Sequence, residues 1–480
     1  MHLITIIISV LLFVNTAAAI VTVLRRERDI AATWAWLLVL IFLPVLGFIF
    51  YLFAGRRLSS RRMQRIADEY VRGVKSYAQQ RRRSNTQQAA MRQAMSPGMY
   101  ALAHNFWTAA KTPLMLHNEA KLFTDGNAKF AALFGDIDAA QESICIEYYT
   151  IYPDAIGTEL RNHLIAAAKR GVDVRVLYDA WGSLGMKESW WQDLRAVGGY
   201  VSIFFSSRHI ITDFRLNYRD HRKIVVIDDQ IAYTGGFNVG DQYLGRDPKF
   251  GNWRDTHMRL RGDVVAALKV RFVMDWNATV VGLMMDYPSL TPDNSDLPVA
   301  PMQVVASGPD TKRQHIKLGY TAFILAAERT VWIQTPYLVP DSTVLEALST
   351  AAYSGVDVRV MVPNMPDHPF IFRATQYYAN LLTARGVKIY HYDNGFMHAK
   401  TVTVDGEVAS VGSANMDYRS FALNFEANTF IYDRSLAAQL GDLFEKDMLQ
   451  SHLLTREDIA AQSAYLRFKQ NFSRMLAPIL

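Results

Sequence analysis

An internal repeat does most to limit what this chain can fold into. Gly-Val-Asp-Val-Arg-Val stands at 171–176 and again at 355–360. Upstream, Ser143-Ile-Cys-Ile-Glu-Tyr-Tyr-Thr-Ile-Tyr-Pro-Asp154 parallels Thr330-Val-Trp-Ile-Gln-Thr-Pro-Tyr-Leu-Val-Pro-Asp341. In each copy a β-branched run ends at Pro-Asp, an Ala/Leu-rich stretch follows, and a glycine (Gly171 or Gly355) closes it. Such punctuation predicts strand–helix–strand. Two βαβ units predict an α/β fold of two lobes with mostly parallel sheets. The first copy is longer than the second before its conserved-looking polar motif, around Ser206–Asn217. That insertion reads as a lid or as a plain surface loop. Tyr287-Pro-Ser-Leu-Thr-Pro-Asp-Asn-Ser-Asp-Leu-Pro298 marks the boundary between halves.

Each half carries one polar motif on a strand-like run. The first is His221-Arg-Lys223-Ile-Val-Val-Ile-Asp228 with Gly235-Gly236-Phe-Asn238; the second is His398-Ala-Lys400-Thr-Val-Thr-Val-Asp405 with Gly412-Ser413-Ala-Asn415. In both, 17 residues separate His from Asn. Alternation puts His221 and Lys223 on one strand face, and likewise His398 and Lys400. Asp228-Asp229 and Asp405-Gly406 are turn signals that return a second strand, bringing Asn beside the starting His. Period 2 turns Asp228 and Asp405 away from that face, so they read as supports more than reacting groups.

These residue types suit phosphodiester chemistry. A neutral imidazole attacks phosphorus; a second, protonated imidazole serves the leaving alkoxide. Lysine and amide donors, joined by Ser413, meet the charge that builds on the non-bridging oxygens. One such motif alone carries little weight, since a histidine on a strand is usually a packing residue. Two matched copies in a duplicated chain do carry weight.

The amino end is apolar. Leu3–Leu24 and Ala31–Gly55 are each long enough to span a bilayer, with only Arg25–Asp29 between them. They are read as a two-helix transmembrane hairpin. Ala17-Ala18-Ala19 resembles a cleavage site, but Met1-His2 lacks the basic start of a signal peptide. Five arginines follow the second run (56, 57, 61, 62 and 65) against three in the loop, which predicts a multi-pass cell-membrane protein with its body in the cytoplasm. From Arg56 to Arg92 there are eleven Lys/Arg and two acids, while the whole chain is only +6. The basic collar thus lies beside the apolar end and the remainder is net acidic, which favours anionic lipid as partner and disfavours nucleic acid. The single cysteine, Cys145, sits between isoleucines and reads as a core thiol. Oligomeric state is not legible.

These motifs resemble the HKD signature of the phospholipase D superfamily, over about residues 110–480. The amino-terminal Trp34-Ala-Trp-Leu-Leu and Leu43-Pro-Val-Leu-Gly47, with Ser307-Gly-Pro309, Tyr337-Leu-Val-Pro340 and Arg419-Ser-Phe-Ala-Leu-Asn-Phe-Glu426, are similar to bacterial cardiolipin synthases. The resemblance implies that the two lobes are related by a pseudo-twofold, that both motifs build one active site, that His221 is the nucleophile and His398 the acid/base, and that Asn238, Asn415 and Ser413 bind phosphate. It also implies an acid beyond each histidine that orients its ring: Glu426, 28 residues past His398, and Asp255, 34 past His221. The implied reaction condenses two phosphatidylglycerols into cardiolipin and glycerol through a phosphohistidine, with no metal or cofactor. Hydrolysis, as in a phospholipase D, is the alternative. The expected layout is a transmembrane hairpin at 1–55, a basic linker at 56–109, a first lobe at 110–290 with its motif at 221–238, and a second lobe at 291–480 with its motif at 398–415. The aromatic and basic tail from Tyr465 reads either as a membrane-surface helix or as one packed on the body.

Overall fold

The computed structural model describes residues 95–204, 218–288, 294–311 and 313–476, together with residues 30–43 and 60–81 and scattered positions from 10 to 51 and at 92. The chain divides into two compact units, Met1–Gln64 with Ser207–Tyr218, and Arg65–Ser206 with Arg219–Leu480.

In the first unit, Ile30–Phe42 is a 13-residue helix. Val23, Leu40 and Tyr51 are buried together, with Trp36 edge-on to Tyr51 at 5.2 Å. At 1.5 Å per residue this helix is about 20 Å long, short of the roughly 30 Å of a hydrocarbon core. No helix among the described residues is long and apolar enough to cross a membrane. The expected transmembrane hairpin, and the multi-pass cell-membrane placement with a cytoplasmic body that rested on it, are therefore corrected. Apolar composition was read as helix length, whereas the helix begun at Ile30 ends at Phe42, with a bend at Leu43 before helical residues resume at 46–48. Most of Leu3–Leu24 lies outside the described residues, as does the whole of the expected Ser206–Asn217 insertion.

The second unit is built on one sheet. Its first half contributes β1 (Met115–Phe123), β2 (Ser143–Tyr148), β3 (Asp173–Asp179), β4 (Tyr200–Phe204), β5 (Lys223–Ile227), β6 (Ile231–Gly235), the short β7 (Trp253–Arg254) and β8 (His257–Gly262). Its second half contributes β9 (Val299–Ser307), β10 (Thr330–Gln334), the short β11 (Leu338–Val339), β12 (Asp357–Pro363), β13 (Lys388–Tyr392), the short β14 (Phe396–Met397), β15 (Thr401–Val404), β16 (Val408–Gly412), the short β17 (Met416–Asp417), β18 (Glu426–Ile431) and β19 (Ser451–Leu453). The sheet has 15 strands in the order β19-β13-β12-β10-β15-β16-β18-β9-β1-β8-β6-β5-β2-β3-β4. Apart from the terminal β19, the order reads as one series and its mirror, joined at β9–β1.

The repeat is thus two matching α/β lobes, but the expectation of mostly parallel sheets is corrected. Within this sheet parallel pairing is confined to β2–β3–β4 and β10–β12–β13. The pairs β2–β5, β5–β6, β6–β8, β8–β1 and their counterparts run antiparallel, as does the join β1–β9. The physical reason lies in the turns. Asp228 and Asp229 have φ of 51° and 54°, Asp405 and Gly406 of 55° and 66°. Two successive left-handed residues make the tight turn that twists with a hairpin, so the strands on either side must be antiparallel. The βαβ signal was real but local to each lobe's outer strands.

Local chemistry explains the crossover helices. Asp154 and Asp341 accept the Gly157 and Val344 N–H groups at 3.1 Å, capping helices Ala155–Lys169 and Ser342–Tyr353. Each such cap contributes about 1 kcal/mol. Gly171 and Gly355, with φ of 94° and 89°, turn the chain out of those helices as only glycine does readily. The helices cover alternating core residues: Ile144, Ile146, Val174, Val176 and Val225 in one lobe, Val331, Ile333, Val358, Val360 and Val402 in the other. Each such side chain stabilises by about 1.5–3 kcal/mol when fully buried. Cys145 is buried and free.

Candidate active site

The motif strands β5 and β15 lie in the middle of their lobes, and each histidine sits just before its strand. What fixes each histidine comes from the opposite lobe. The His221 N–H donates to the Phe425 carbonyl at 2.9 Å, and Phe425 N–H returns to the Arg219 carbonyl at 2.8 Å. On the other side β14 pairs with β7 in parallel, and the His398 N–H donates to the Arg254 carbonyl at 2.7 Å. Phe425 and Arg254 are the residues immediately before Glu426 and Asp255. The crossed backbone pairs therefore deliver each acid to the other lobe's histidine.

The side chains complete the crossing. His221 Nδ1 lies 2.9 Å from Glu426 Oε2, and His398 Nδ1 lies 2.6 Å from Asp255 Oδ2. Counting along the chain had assigned Glu426 to His398 and Asp255 to His221; the pairing is the reverse. Both acids are wholly buried. Burial alone would raise them, but Lys400 and His398 pull Asp255 below the usual carboxylate range, and His221 and Lys223 do the same for Glu426. Each acid is thus an anion that holds its ring with Nδ1–H inward and Nε2 turned away from the acid.

The lysines stand beside their histidines. Lys223 Nζ donates to the His221 carbonyl at 2.7 Å; Lys400 Nζ donates to the His398 carbonyl at 2.5 Å and lies 3.0 and 3.2 Å from its ring nitrogens. Burial, more than any neighbour, brings Lys223 down to about 7 and Lys400 to about 8. Burial also lowers His221, with Glu426 opposing and Lys223 and Lys400 assisting. His398 falls to about 4, through burial and then Lys400, with Asp255 opposing and Lys223 adding to the fall. Each histidine thus feels the lysine of the other lobe, which makes the two motifs one electrostatic site.

The remaining expected residues divide. Asp228 accepts the N–H groups of Gln141, Glu142 and Ser143 at 2.8, 2.8 and 2.9 Å, and Asp405 those of Glu328, Arg329 and Thr330 at 2.9, 2.7 and 2.7 Å. They brace the turn to the entry of β2 and β10, away from the histidines. Ser413 spends its hydroxyl on Glu426 Oε2 at 2.5 Å and accepts the Ala427 N–H at 3.0 Å. It supports the acid, where a phosphate contact was expected. Asn238 Oδ1 accepts the Thr150 N–H at 3.3 Å and Nδ2 reaches the Tyr243 hydroxyl at 3.2 Å. Asn415 is buried, bonds Asp417, and keeps Oδ1 without a partner among the described residues.

Several functional neighbours escaped the sequence reading. The Tyr149 ring stands edge-on to His221 at 5.0 Å, and Trp253 lies 5.1 Å from His398. Asn424 Nδ2 donates to Glu426 Oε1 at 3.1 Å. The Tyr337 hydroxyl donates to Asp367, and the Asp367 charge acts on Lys400. Asn424 and Trp253 sit two residues from their acids, a spacing that alternation would have flagged; Asp367 carries no such signal. Among the described residues no group of three or more His, Cys, Asp or Glu side chains is placed to hold a metal ion.

Comparison with known proteins follows this geometry. The family described as cardiolipin synthase, PLD-like domain, matches residues 133–249 and 320–448, one segment per lobe, and the phospholipase D-nuclease N-terminal family matches 14–56. A cardiolipin synthase of Listeria welshimeri serovar 6b is 45% identical over 482 residues, covering 100% of both chains. The major cardiolipin synthase ClsA of Bacillus subtilis strain 168 is 42% identical, again over 100% of both. The crystal structure of phosphatidylserine synthase from Haemophilus influenzae Rd KW20 superposes with a TM-score of 0.60 at 15% identity, covering 79% of this chain and 100% of that one, which shows a shared fold.

Proposed function

This chain belongs to the cardiolipin synthase family of phospholipase D-like proteins, and from that premise we propose how its two lobes divide one phosphatidyl transfer. The enzyme condenses two phosphatidylglycerols into cardiolipin and glycerol. In the first step His221 Nε2 attacks phosphorus and the bond to the headgroup glycerol breaks. His398 gives its proton to the departing alkoxide, leaving a phosphatidyl-His221. In the second step the headgroup hydroxyl of another phosphatidylglycerol attacks that phosphorus, its proton passes to His398, and the P–N bond breaks to free cardiolipin.

The crossed pairs of histidine and buried acid carry this assignment. An ionised Asp255 stabilises the imidazolium that His398 becomes, and Glu426 keeps His221 in the tautomer with Nε2 unprotonated. Lys223 and Lys400 are the donors for the non-bridging oxygens, with Asn238 and Asn415 at the ends of the returning strands. The low values of both rings suit this order. The substrate phosphodiester is an anion; set between the lysines, it offsets the charges that depress His398 and lets that ring hold its proton when the leaving group needs it. His221, lowered by burial, stays neutral and nucleophilic.

Incubation of purified protein with headgroup-labelled phosphatidylglycerol tests the reading. Cardiolipin and free labelled glycerol are expected in equal amounts, and His221→Ala or His398→Ala lowers turnover on the order of 10³-fold. Phosphatidic acid without cardiolipin contradicts a lipid alcohol as acceptor.

A further inference from the structure

The last helix presents its faces the opposite way from an ordinary surface helix. Ala464–Met475 packs against the helix Pro369–Ala384. The face turned inward is largely polar: Gln470 and Ser473 are buried, and Gln470 joins Asn380 at 3.2 Å and Gln462 at 3.0 Å. The face turned outward is apolar. Tyr465, Phe468, Phe472 and Met475 are 67, 66, 48 and 73% exposed. Their spacing of three, four and three puts them in one stripe along three turns. Phe468 and Phe472 stack at 6.4 Å, so the stripe is continuous. A globular helix buries such a stripe; a helix that lies on a lipid surface shows it.

Charge selects the occupant. At 100° per residue, Lys469 flanks the stripe on one edge, Arg467 and Arg474 lie nearer the face turned to the body, and the helix contains no acid. Lys469 Nζ rests 4.1 Å over the Tyr465 ring, and Arg474 lies 4.5 Å over Tyr377. An apolar stripe on a helix with three bases and no acid fits acyl chains beneath anionic headgroups, with Lys469 at the stripe's edge placed to meet a phosphate.

We propose that the Ala464–Met475 helix is a docking face for an anionic lipid bilayer, lying in the plane of the interface with Tyr465, Phe468, Phe472 and Met475 inserted. The proposal goes beyond the transfer reaction, resting on it only for the expectation that the lipid met is anionic.

The test uses the full chain with all four stripe residues changed to serine; these exposed positions support no core. Co-sedimentation is measured with phosphatidylglycerol-containing and with pure phosphatidylcholine vesicles, and turnover with phosphatidylglycerol in vesicles and in detergent micelles. The parent chain should bind the anionic vesicles at least about tenfold better than the zwitterionic ones, and lose that preference in high salt. The variant should lose about tenfold or more in binding and in vesicle turnover, with micellar turnover within about twofold of the parent. Equal binding of parent and variant overturns the proposal. So does equal binding of the parent to both vesicle types. A parent that is a larger oligomer than the variant in sedimentation velocity also overturns it, assigning the stripe to a second copy. If micellar turnover is absent in both proteins while the difference in vesicle binding persists, the catalytic reading fails and the docking stands.

Discussion

In the first lobe Asp255 packs against Gly236, where an added Cβ would lie 1.9 Å from Oδ1. In the second lobe the residue equivalent to Gly236 is Ser413, and its hydroxyl donates to Glu426 at 2.5 Å. The shorter acid leaves no room for a side chain, and the longer acid has one as its donor. A second pair differs in the same spirit. Gln334 on β10 donates to Asp447 at 2.7 Å and accepts from Thr401 at 3.0 Å. Its counterpart on β2 is Glu147, whose carboxyl oxygens have no hydrogen-bond partner among the described residues and which lies beside the Asp220 carboxyl. Burial, then Asp220 and Asp275, push Glu147 well above the ordinary carboxylate value, against Arg222. A carboxyl pushed towards its protonated form is close in shape to an amide, so burial favours a neutral group at this place in both lobes. The duplication kept the geometry and changed the residue.

The crossing of acids is the part of this comparison most easily broken. Glu426→Gln and Asp255→Asn should each cost on the order of 10²–10⁴ in turnover, yet move different limbs of the kcat/KM profile. Glu426 raises His221, so its loss lowers that ring further and shifts the acid limb to lower pH. Asp255 raises His398, so its loss makes that ring give up its proton sooner and shifts the alkaline limb to lower pH. Opposite assignments would mean that each acid serves its own lobe.

Exchange of the supporting residues should do less and remain unequal. Gly236→Ser forces Asp255 off His398 and should approach the loss seen with Asp255→Asn. Ser413→Gly removes one charge-assisted hydrogen bond, worth about 1.5–3 kcal/mol, and should cost about tenfold in turnover. Equal losses would show that the lobes are interchangeable here.

Glu147→Gln should leave turnover within about twofold, because the amide reproduces the protonated carboxyl. Its effect is on stability. A carboxyl raised by folding holds a proton that the unfolded chain releases, so its stabilising share is complete below the ordinary carboxylate value and declines as pH rises towards the raised one, by about 1.4 kcal/mol per pH unit. Removing that group should flatten the stability curve and raise the melting temperature on the alkaline side of the ordinary carboxylate range. A steeper curve in the variant would contradict a proton held at Glu147.

The repeat, the β5–β6 and β15–β16 hairpins, the capping aspartates and the His-Lys pairs were all legible, because each depends on residues near one another in the chain. The turn role of Asp228 and Asp405 followed from strand period alone. What spacing could not carry is contact between halves. Counting 28 residues from His398 to Glu426 found the right acid and the wrong partner, since β7–β14 and the Phe425 bridge cross between lobes. The sense of the sheet was misread for a related reason: Gly-Val-Asp-Val-Arg-Val reports the outer parallel strands, and the antiparallel centre is set by the φ of Asp228, Asp229, Asp405 and Gly406. At the amino end composition was mistaken for helix length. Ser413 was read as a phosphate contact from its place in the motif, whereas its hydroxyl meets Glu426, 13 residues on.

In the proposed site His221 forms the covalent bond and His398 moves the proton. Rapid quenching with phosphatidyl-labelled phosphatidylglycerol, followed by mapping of the labelled peptide, separates those two roles. Label is expected on His221 in the parent chain, accumulating in His398→Ala and absent in His221→Ala. Label on His398, or turnover with no labelled histidine at any quench time, would contradict that assignment.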